Sequence, residues 1–183
     1  MAIYNRWAFQ QLYNKLDKYI SNEMYNADNG LYFRSIHGTL VHIVLASKLW
    51  YARLANSSSY SLNDEKYPYE INSYWSRSAN EWEQAILDRK NLYYDVLSEC
   101  DRWIDYIKQL DSESLMTEET FSYFDTEGNK TERNRSEALD HVFNHTTHHR
   151  GQITAIITKY SGQEASPILD LSAMPTNELN NIN

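Results

Sequence analysis

The segment DHVFNHTTHHRGQ, residues 140–152, contains four of the six histidines of this 183-residue chain. No residue before Gly151 interrupts a helix, so the segment predicts a helix. Each residue of a helix turns by about 100°, which places positions i and i+4 on one face. His141, His145 and His149 have this spacing. The fold therefore depends on which of these histidines face the protein interior.

The apolar residues of the same helix indicate its orientation. They form one stripe at helical spacing, made of Ala138, Val142, Ile153, Ile156 and Tyr160. At about 100° per residue, His149 falls near the middle of this stripe and His145 at its edge. His141 lies further round the helix, and His148 further still. Two inward imidazoles require hydrogen-bond partners or a metal ion, and HxxxH on one helical face is a known pair of zinc ligands. An isolated HxxxH pair is more often two core histidines that carboxylates or the backbone satisfy.

A third histidine favours a metal site over a pair of core histidines. It lies in a second helix, predicted over residues 35–55, that is apolar nearly all round and should be buried between other helices. His42 faces the apolar side of this helix, whereas His37 projects from a different side. With His145 and His149, His42 completes a set of three imidazoles from two helices. Three protein ligands leave one position open for water or substrate, which is the arrangement of catalytic zinc sites.

The remaining elements predict an all-α protein with one domain, residues 1–183. They are helices over residues 4–23 and about 75–110, the second with a break near its start, a loop over 56–72, and a short β-hairpin over 119–135 that turns at 126–129. Four long helices in a chain of this size favour a four-helix bundle. Bundles build metal sites from side chains on facing helices.

Composition excludes several classes of function. The net charge of −8 argues against nucleic-acid binding, which requires a basic surface. No apolar run is long enough to span a bilayer, and the first ten residues lack the pattern of a secretory signal. The single cysteine, Cys100, excludes an internal disulfide and is predicted to lie in the core. We therefore expect a cytoplasmic protein without membrane or nucleic-acid partners.

The helical phase of the histidine helix also predicts the surroundings of its other polar side chains. Arg150 is expected to reach solvent or an acidic partner. Gln152 lies close to His145 in helical phase, one to two turns on, and can hydrogen-bond a metal ligand. Neither Glu137 nor Asp140 shares the face of His149, so the helix offers no evident general base.

The chain resembles the DinB-like, or YfiT-like, family of metal-binding proteins over most of its length. The resemblance is carried by YNRW at residues 4–7, FRSIHGTLVH at 33–42, HVFNHTTHHRGQ at 141–152 and DL at 170–171. Relatives often have Ala-Asp-Arg-Ile-Trp after the histidine of the second helix, where this chain has ASKLW. Ser47 thus replaces an acidic residue, which puts any role of that acid in doubt here.

The resemblance implies an up-down-down-up four-helix bundle with a divalent metal ion, usually zinc or nickel. The implied ligands are His42, His145 and His149, the same three that helical phase selects. It also implies a frequent homodimer, which the apolar second helix and the many Trp and Tyr residues favour independently. Finally, it places the chain near S-transferases and isomerases that use a low-molecular-weight thiol such as bacillithiol, mycothiol or glutathione.

Three functions remain open on this basis. The leading one is a metal-dependent thiol S-transferase acting on small electrophiles, because a metal ion keeps a thiol in its nucleophilic thiolate form. The second is a metal-dependent hydrolase, because the same ion lowers the pKa of bound water to about 7. The third is a non-catalytic bundle that binds a metal or another ligand.

Overall fold

The computed structural model describes residues 1–55, 78–110, 119–125 and 127–180, which form a helical bundle with one short hairpin. The helices are α1 (Ala2–Tyr19), α2 (Asn22–Asn26), α3 (Ile36–Ala55), α4 (Ala79–Glu83), α5 (Arg89–Gln109), α6 (Arg135–Ser161) and α7 (Thr176–Asn180), and the strands are β1 (Thr120–Phe124) and β2 (Lys130–Asn134). Short 3-10 helices at Gln163–Ala165 and Leu171–Ala173 connect α6 to α7. The loop predicted over residues 56–72 lies outside the described residues.

The four long helices α1, α3, α5 and α6 form the bundle, and each packs against two of the others. Side-chain pairs near both ends of each interface give the helix directions. These pairs are Asn5–Thr146 and Tyr19–Ser161 between α1 and α6, and Arg6–Asp101 and Asp17–Arg89 between α1 and α5. They are Ser47–Trp103 and Leu54–Tyr106 between α3 and α5, and His42–His145 and Trp50–His141 between α3 and α6. α1 therefore runs parallel to α6 and antiparallel to α5, while α3 runs parallel to α5 and antiparallel to α6. This arrangement confirms the predicted up-down-down-up bundle.

The second long helix, α3, is the most enclosed element of the bundle. Every residue from Ile36 to Ser47 is buried, because α5 and α6 pack along it and α2 and α4 cover its first turns. Its apolar sequence is thus explained by contacts within the chain. Cys100 on α5 is buried in the same core, as the sequence predicts. Within the described residues, no helix is both long enough and apolar enough to cross a bilayer.

Two helix boundaries differ from the sequence prediction. The first helix ends at Tyr19, because Ile20 is extended and the hydroxyl of Ser21 accepts a hydrogen bond from the Met24 N–H to begin α2. The predicted helix over 75–110 divides into α4 and α5, and residues 75–77 are outside the described part. Asp88 begins α5 by accepting a hydrogen bond from the Asn91 N–H. Both N-caps start a new helix where the apolar pattern alone predicts continuity.

The β-hairpin predicted before the histidine helix is confirmed. β1 and β2 pair antiparallel, with Thr120 opposite Asn134 and Phe124 opposite Lys130. Phe121 and Tyr123 are buried against the bundle. The side chain of Asn134 then accepts a hydrogen bond at the first turn of α6, so the hairpin fixes where the histidine helix begins.

Candidate metal centre

The crossing of α3 and α6 brings three imidazoles together. Nε2 of His42 lies 2.9 Å from Nε2 of His145, and Nε2 of His149 lies 3.2 Å from the same atom. The potential ligand atoms of all three lie within 4.8 Å of one another. His42 and His149 are buried, and His145 is half-buried. The structure therefore brings together the three residues that the sequence selects as ligands.

The spacing of these nitrogens suits a divalent metal ion. Nitrogens about 2.1 Å from one ion lie roughly 3.4 Å apart in tetrahedral geometry and roughly 3.0 Å apart at octahedral angles. The observed separations of 2.9 and 3.2 Å are close to these values. Hydrogen bonds alone fit less well, because Nε2 of His145 has one proton or one lone pair and faces two other nitrogens. The residues present thus fit a metal held by three imidazoles.

The electrostatics of the three rings favour neutral imidazole, which is the form that binds metals. Burial lowers the pKa of His42 to about 2 and the pKa of His145 to about 3, and neighbouring imidazoles add to both effects. Burial also lowers the pKa of His149. Nδ1 of His149 donates to Oε1 of Gln152 over 2.7 Å, so the lone pair of this ring is on Nε2. Gln152 thus bonds a member of the histidine group, as predicted, although its helical phase points to His145 rather than to His149.

His141 and His148 are exposed and stay outside the group, as the sequence predicts. His141 nevertheless stacks on His145, with ring centroids 5.8 Å apart. Burial lowers the pKa of His141, and the positive charges of Arg133 and Arg53 lower it further. The exposed side of the histidine group is therefore close to two arginines.

His37 projects from a different side of α3 than His42, as predicted, but that side is buried. Its Nε2 lies 3.3 Å from the carbonyl oxygen of Glu83 at the end of α4. Burial lowers the pKa of His37. The helical phase of α3 could not reveal this contact, because α4 comes from a segment more than forty residues further along the chain.

An aromatic wall made of Phe33 and Trp82 covers His42. The Phe33 ring stacks on His42 with centroids 3.8 Å apart and an angle of 16° between the planes. Trp82 meets His42 edge-on at 5.0 Å and contacts Phe33 at 5.3 Å. Sequence reasoning missed both residues, because neither lies on α3 or α6.

One carboxylate holds this wall in place. Glu83 binds the guanidinium of Arg34 and the hydroxyl of Ser35, which joins α4 to the start of α3. Arg34 has a positive φ of 66°, so the chain turns sharply before α3. A Cβ on Gly38 would lie 2.2 Å from the Phe33 carbonyl oxygen, so the close approach of this turn to α3 requires glycine. The only sequence signal for this contact is a glycine inside a helical pattern.

The expectation for Arg150 is wrong. Its side chain is buried rather than solvated, and it binds the neutral side chain of Asn5 and donates to Oγ1 of Thr147 at 3.0 Å. The guanidinium also lies over the rings of Tyr4 and Phe9, at 5.3 and 5.0 Å. The error arises because α6 packs against α1 as well as α3, so it has a wider buried face than one apolar stripe indicates.

Among the described residues, no carboxylate joins the three histidines. Glu137 and Asp140 are exposed, in agreement with the sequence prediction. Glu99 on α5 is buried near Ser47 and forms an ion pair of 3.1 Å with Arg102. Burial raises the pKa of Glu99 to about 7. Ser47 on α3, where relatives often have an acidic residue, therefore has the buried Glu99 of α5 as its neighbour.

Comparisons with known proteins identify the family of this chain. No solved structure matches the chain. The chain is 27% identical over 168 residues to "Protein DinB" of Bacillus subtilis (strain 168), an alignment that covers 90% of this chain and 86% of that protein. The model of the DinB family matches residues 1–173, a range that includes all three histidines of the candidate centre. The chain therefore belongs to the DinB family.

Proposed function

We propose that this protein binds a divalent metal ion, zinc or nickel, and catalyses transfer of a low-molecular-weight thiol to a small electrophile. The observation that supports the proposal is the convergence of three neutral imidazole nitrogens from His42, His145 and His149. The metal would supply a positive charge that keeps the thiol sulfur deprotonated near neutral pH.

The protein side chains would divide the remaining tasks. Phe33 and Trp82 cover His42 and keep water away from that side of the centre. Gln152 orients His149 through its Nδ1 proton. Substrates would approach past His145, which is the half-buried member of the group. In the transfer, sulfur forms a bond to the electrophilic carbon, the thiol proton passes to solvent, and the leaving group departs with its electron pair.

Hydrolysis is the second candidate, and the positions of the carboxylates within the described residues count against it. A hydrolase of this type benefits from a carboxylate base near the attacking water. Glu137 and Asp140 are exposed, Glu83 is bound to its own partners, and Glu99 lies between α3 and α5. A thiol loses its proton more readily than water does, so it needs less help from a base. A bundle that binds metal without catalysis is the third candidate.

The first test measures the metal content of purified protein by mass spectrometry after dialysis. We expect about one divalent ion per chain, with nitrogen ligands at about 2.0–2.1 Å by X-ray absorption. His149→Ala should abolish stoichiometric binding. His148→Ala is the matched control, because this neighbouring histidine is exposed and outside the group. Equal loss of metal from both variants would contradict the assignment of ligands.

The second test separates transferase from hydrolase. Wild-type protein and His145→Ala are compared with a panel of thiols and electrophiles, and with a panel of activated esters and amides. We expect thiol transfer that depends on both the metal and His145. Metal-dependent hydrolysis without any effect of thiols would favour the hydrolase, and no activity in either panel would favour the non-catalytic bundle.

We also propose that the protein works in the cytoplasm as a homodimer and acts on small molecules. Its single cysteine suits a reducing compartment. Large apolar side chains are exposed at several places, among them Tyr32 and Leu87 in connections between helices, which are 84% and 71% exposed. A second subunit that covers such side chains would explain their exposure in one chain.

A further inference from the structure

Two arginines lie beside the exposed edge of the candidate metal centre. His141 stacks on His145, and the ring of Trp50 lies 4.9 Å from the ring of His141. The guanidinium of Arg53 lies 4.9 Å from the Trp50 ring centroid, and that of Arg133 lies 6.0 Å from it. A continuous series of ring contacts thus connects His145 to both positive charges.

Arg133 lies on the inner face of the hairpin. It pairs with Phe121, which is buried, and side chains of cross-strand partners point to the same face of the sheet. Its Nε is buried and has no hydrogen-bond partner within the described ranges. None of the ion pairs formed by the described residues includes Arg133. A buried guanidinium Nε–H without an acceptor carries a desolvation cost that a bound anion would offset.

Arg53 is held more firmly than Arg133. Its guanidinium donates to the carbonyl oxygen of Phe124 at 3.1 Å and lies 4.5 Å from the Tyr123 ring centroid. It therefore contributes a fixed positive charge, while Arg133 retains donors for a ligand. One guanidinium matches the single charge and the two oxygens of a carboxylate.

We propose that Arg133 binds a carboxylate of the thiol co-substrate whose sulfur reaches the histidine group. This inference rests on the proposed function and adds to it the chemical class of the thiol. His141 and His145 are one helical turn apart, about 5.4 Å along the axis, and the Trp50 ring contacts both the His141 ring and the Arg133 guanidinium. The co-substrate must therefore carry its carboxylate more than one helical turn away from its sulfur, as an extended or peptide-like thiol does.

The test measures thiol binding to cobalt-loaded protein, because thiolate binding to cobalt(II) produces a near-ultraviolet charge-transfer band. The probes are 6-mercaptohexanoate and the neutral 6-mercaptohexanol, which have the same length. Wild-type protein should bind the carboxylate about 10- to 100-fold more tightly, as expected for a hydrogen-bonded charge pair. Arg133→Gln should bind both thiols with similar affinity, and Arg133→Lys should fall between the two proteins. The shorter 3-mercaptopropionate should gain little from Arg133.

The matched control is Lys130→Gln, which removes one positive charge from the exposed face of the same strand. It should keep the preference for 6-mercaptohexanoate. Equal affinity of wild-type protein for both thiols, or an unchanged preference in Arg133→Gln, would overturn the inference and leave the proposed function intact.

Failure of the proposed function has a different signature. If no thiol gives a charge-transfer band, the thiol chemistry is wrong, and the anion site is then measured in metal-free protein. Hexanoate, but not hexanol, should shift the Nε–Hε resonance of Arg133 in a nuclear magnetic resonance titration. Such a shift would retain the carboxylate site, and its absence would overturn it.

Discussion

The buried carboxylate of Glu99 should make the stability of this protein fall between pH 5 and pH 8. Burial raises the pKa of Glu99 from an ordinary 4.5 to about 7, and its Oε2 has no hydrogen-bond partner among the described residues. Between these two pKa values the folded chain holds a proton that the unfolded chain has lost, so the free energy of unfolding decreases as pH rises. At 1.36 kcal/mol per pKa unit, the full loss is about 3 kcal/mol above pH 7.

Replacement by glutamine removes this ionisation and keeps the size of the side chain. The free energy of unfolding of Glu99→Gln, relative to that of wild type, should therefore be up to about 3 kcal/mol higher at pH 8 than at pH 5. Part of the gain is offset by loss of the ion pair with Arg102, but Arg102 is partly exposed and that pair is weak. The wild-type carboxylate should destabilise the folded state most at pH values where it is fully ionised.

The assay is urea denaturation of metal-free protein at pH 5 and pH 8, in the presence of a chelator. Histidine protonation affects both proteins and cancels in the difference between them. Asp105→Asn is the matched control, because this carboxylate is exposed on the same helix. An equal stability difference between Glu99→Gln and wild type at the two pH values would refute the reasoning.

Four further outcomes follow from the packing and the site. Gly38→Ala should lower the free energy of unfolding by about 1–3 kcal/mol in urea denaturation, because the new methyl group would lie 2.2 Å from the Phe33 carbonyl oxygen. Arg150→Met should lower it by about 1–3 kcal/mol in the same assay, since Asn5 and Thr147 lose the guanidinium that donates to them; no loss would indicate that the buried guanidinium is replaceable. Gln152→Ala should weaken metal binding roughly tenfold or more in calorimetric titration, and an unchanged affinity would exclude its orienting role. Light scattering at micromolar concentration should give twice the mass of one chain, whereas a monomer mass would refute the homodimer.

Local patterns were sufficient to predict the bundle and the three converging histidines. The spacing of apolar residues on α6 fixed which of its histidines face inward. The helix begins after Asn134 and ends before Gly162, residue types that are typical of the two helix ends. The position of His42 followed from the same reasoning on α3. These features depend on helical periodicity, which is a property of a short segment of sequence.

The surroundings of the histidines could not be predicted in this way. Phe33 and Trp82 reach His42 from a loop and a one-turn helix, and Glu83 holds them through contacts between segments distant in the sequence. The burial of Arg150 depends on α1, whose phase relative to α6 is set only when the bundle assembles. Single-element periodicity contains no information about such contacts.

The parallel pairing of α1 with α6 has a consequence for biosynthesis. The contacts of Asn5 with Thr146 and Arg150 join residues 141 and 145 positions apart. At ribosomal rates of about 5–20 residues per second, α1 is made on the order of 10 s before its partner exists. His42 likewise precedes His145 by 103 positions. The three nitrogens can therefore come together only after α6 leaves the ribosome, so any metal would be acquired after translation has passed His149.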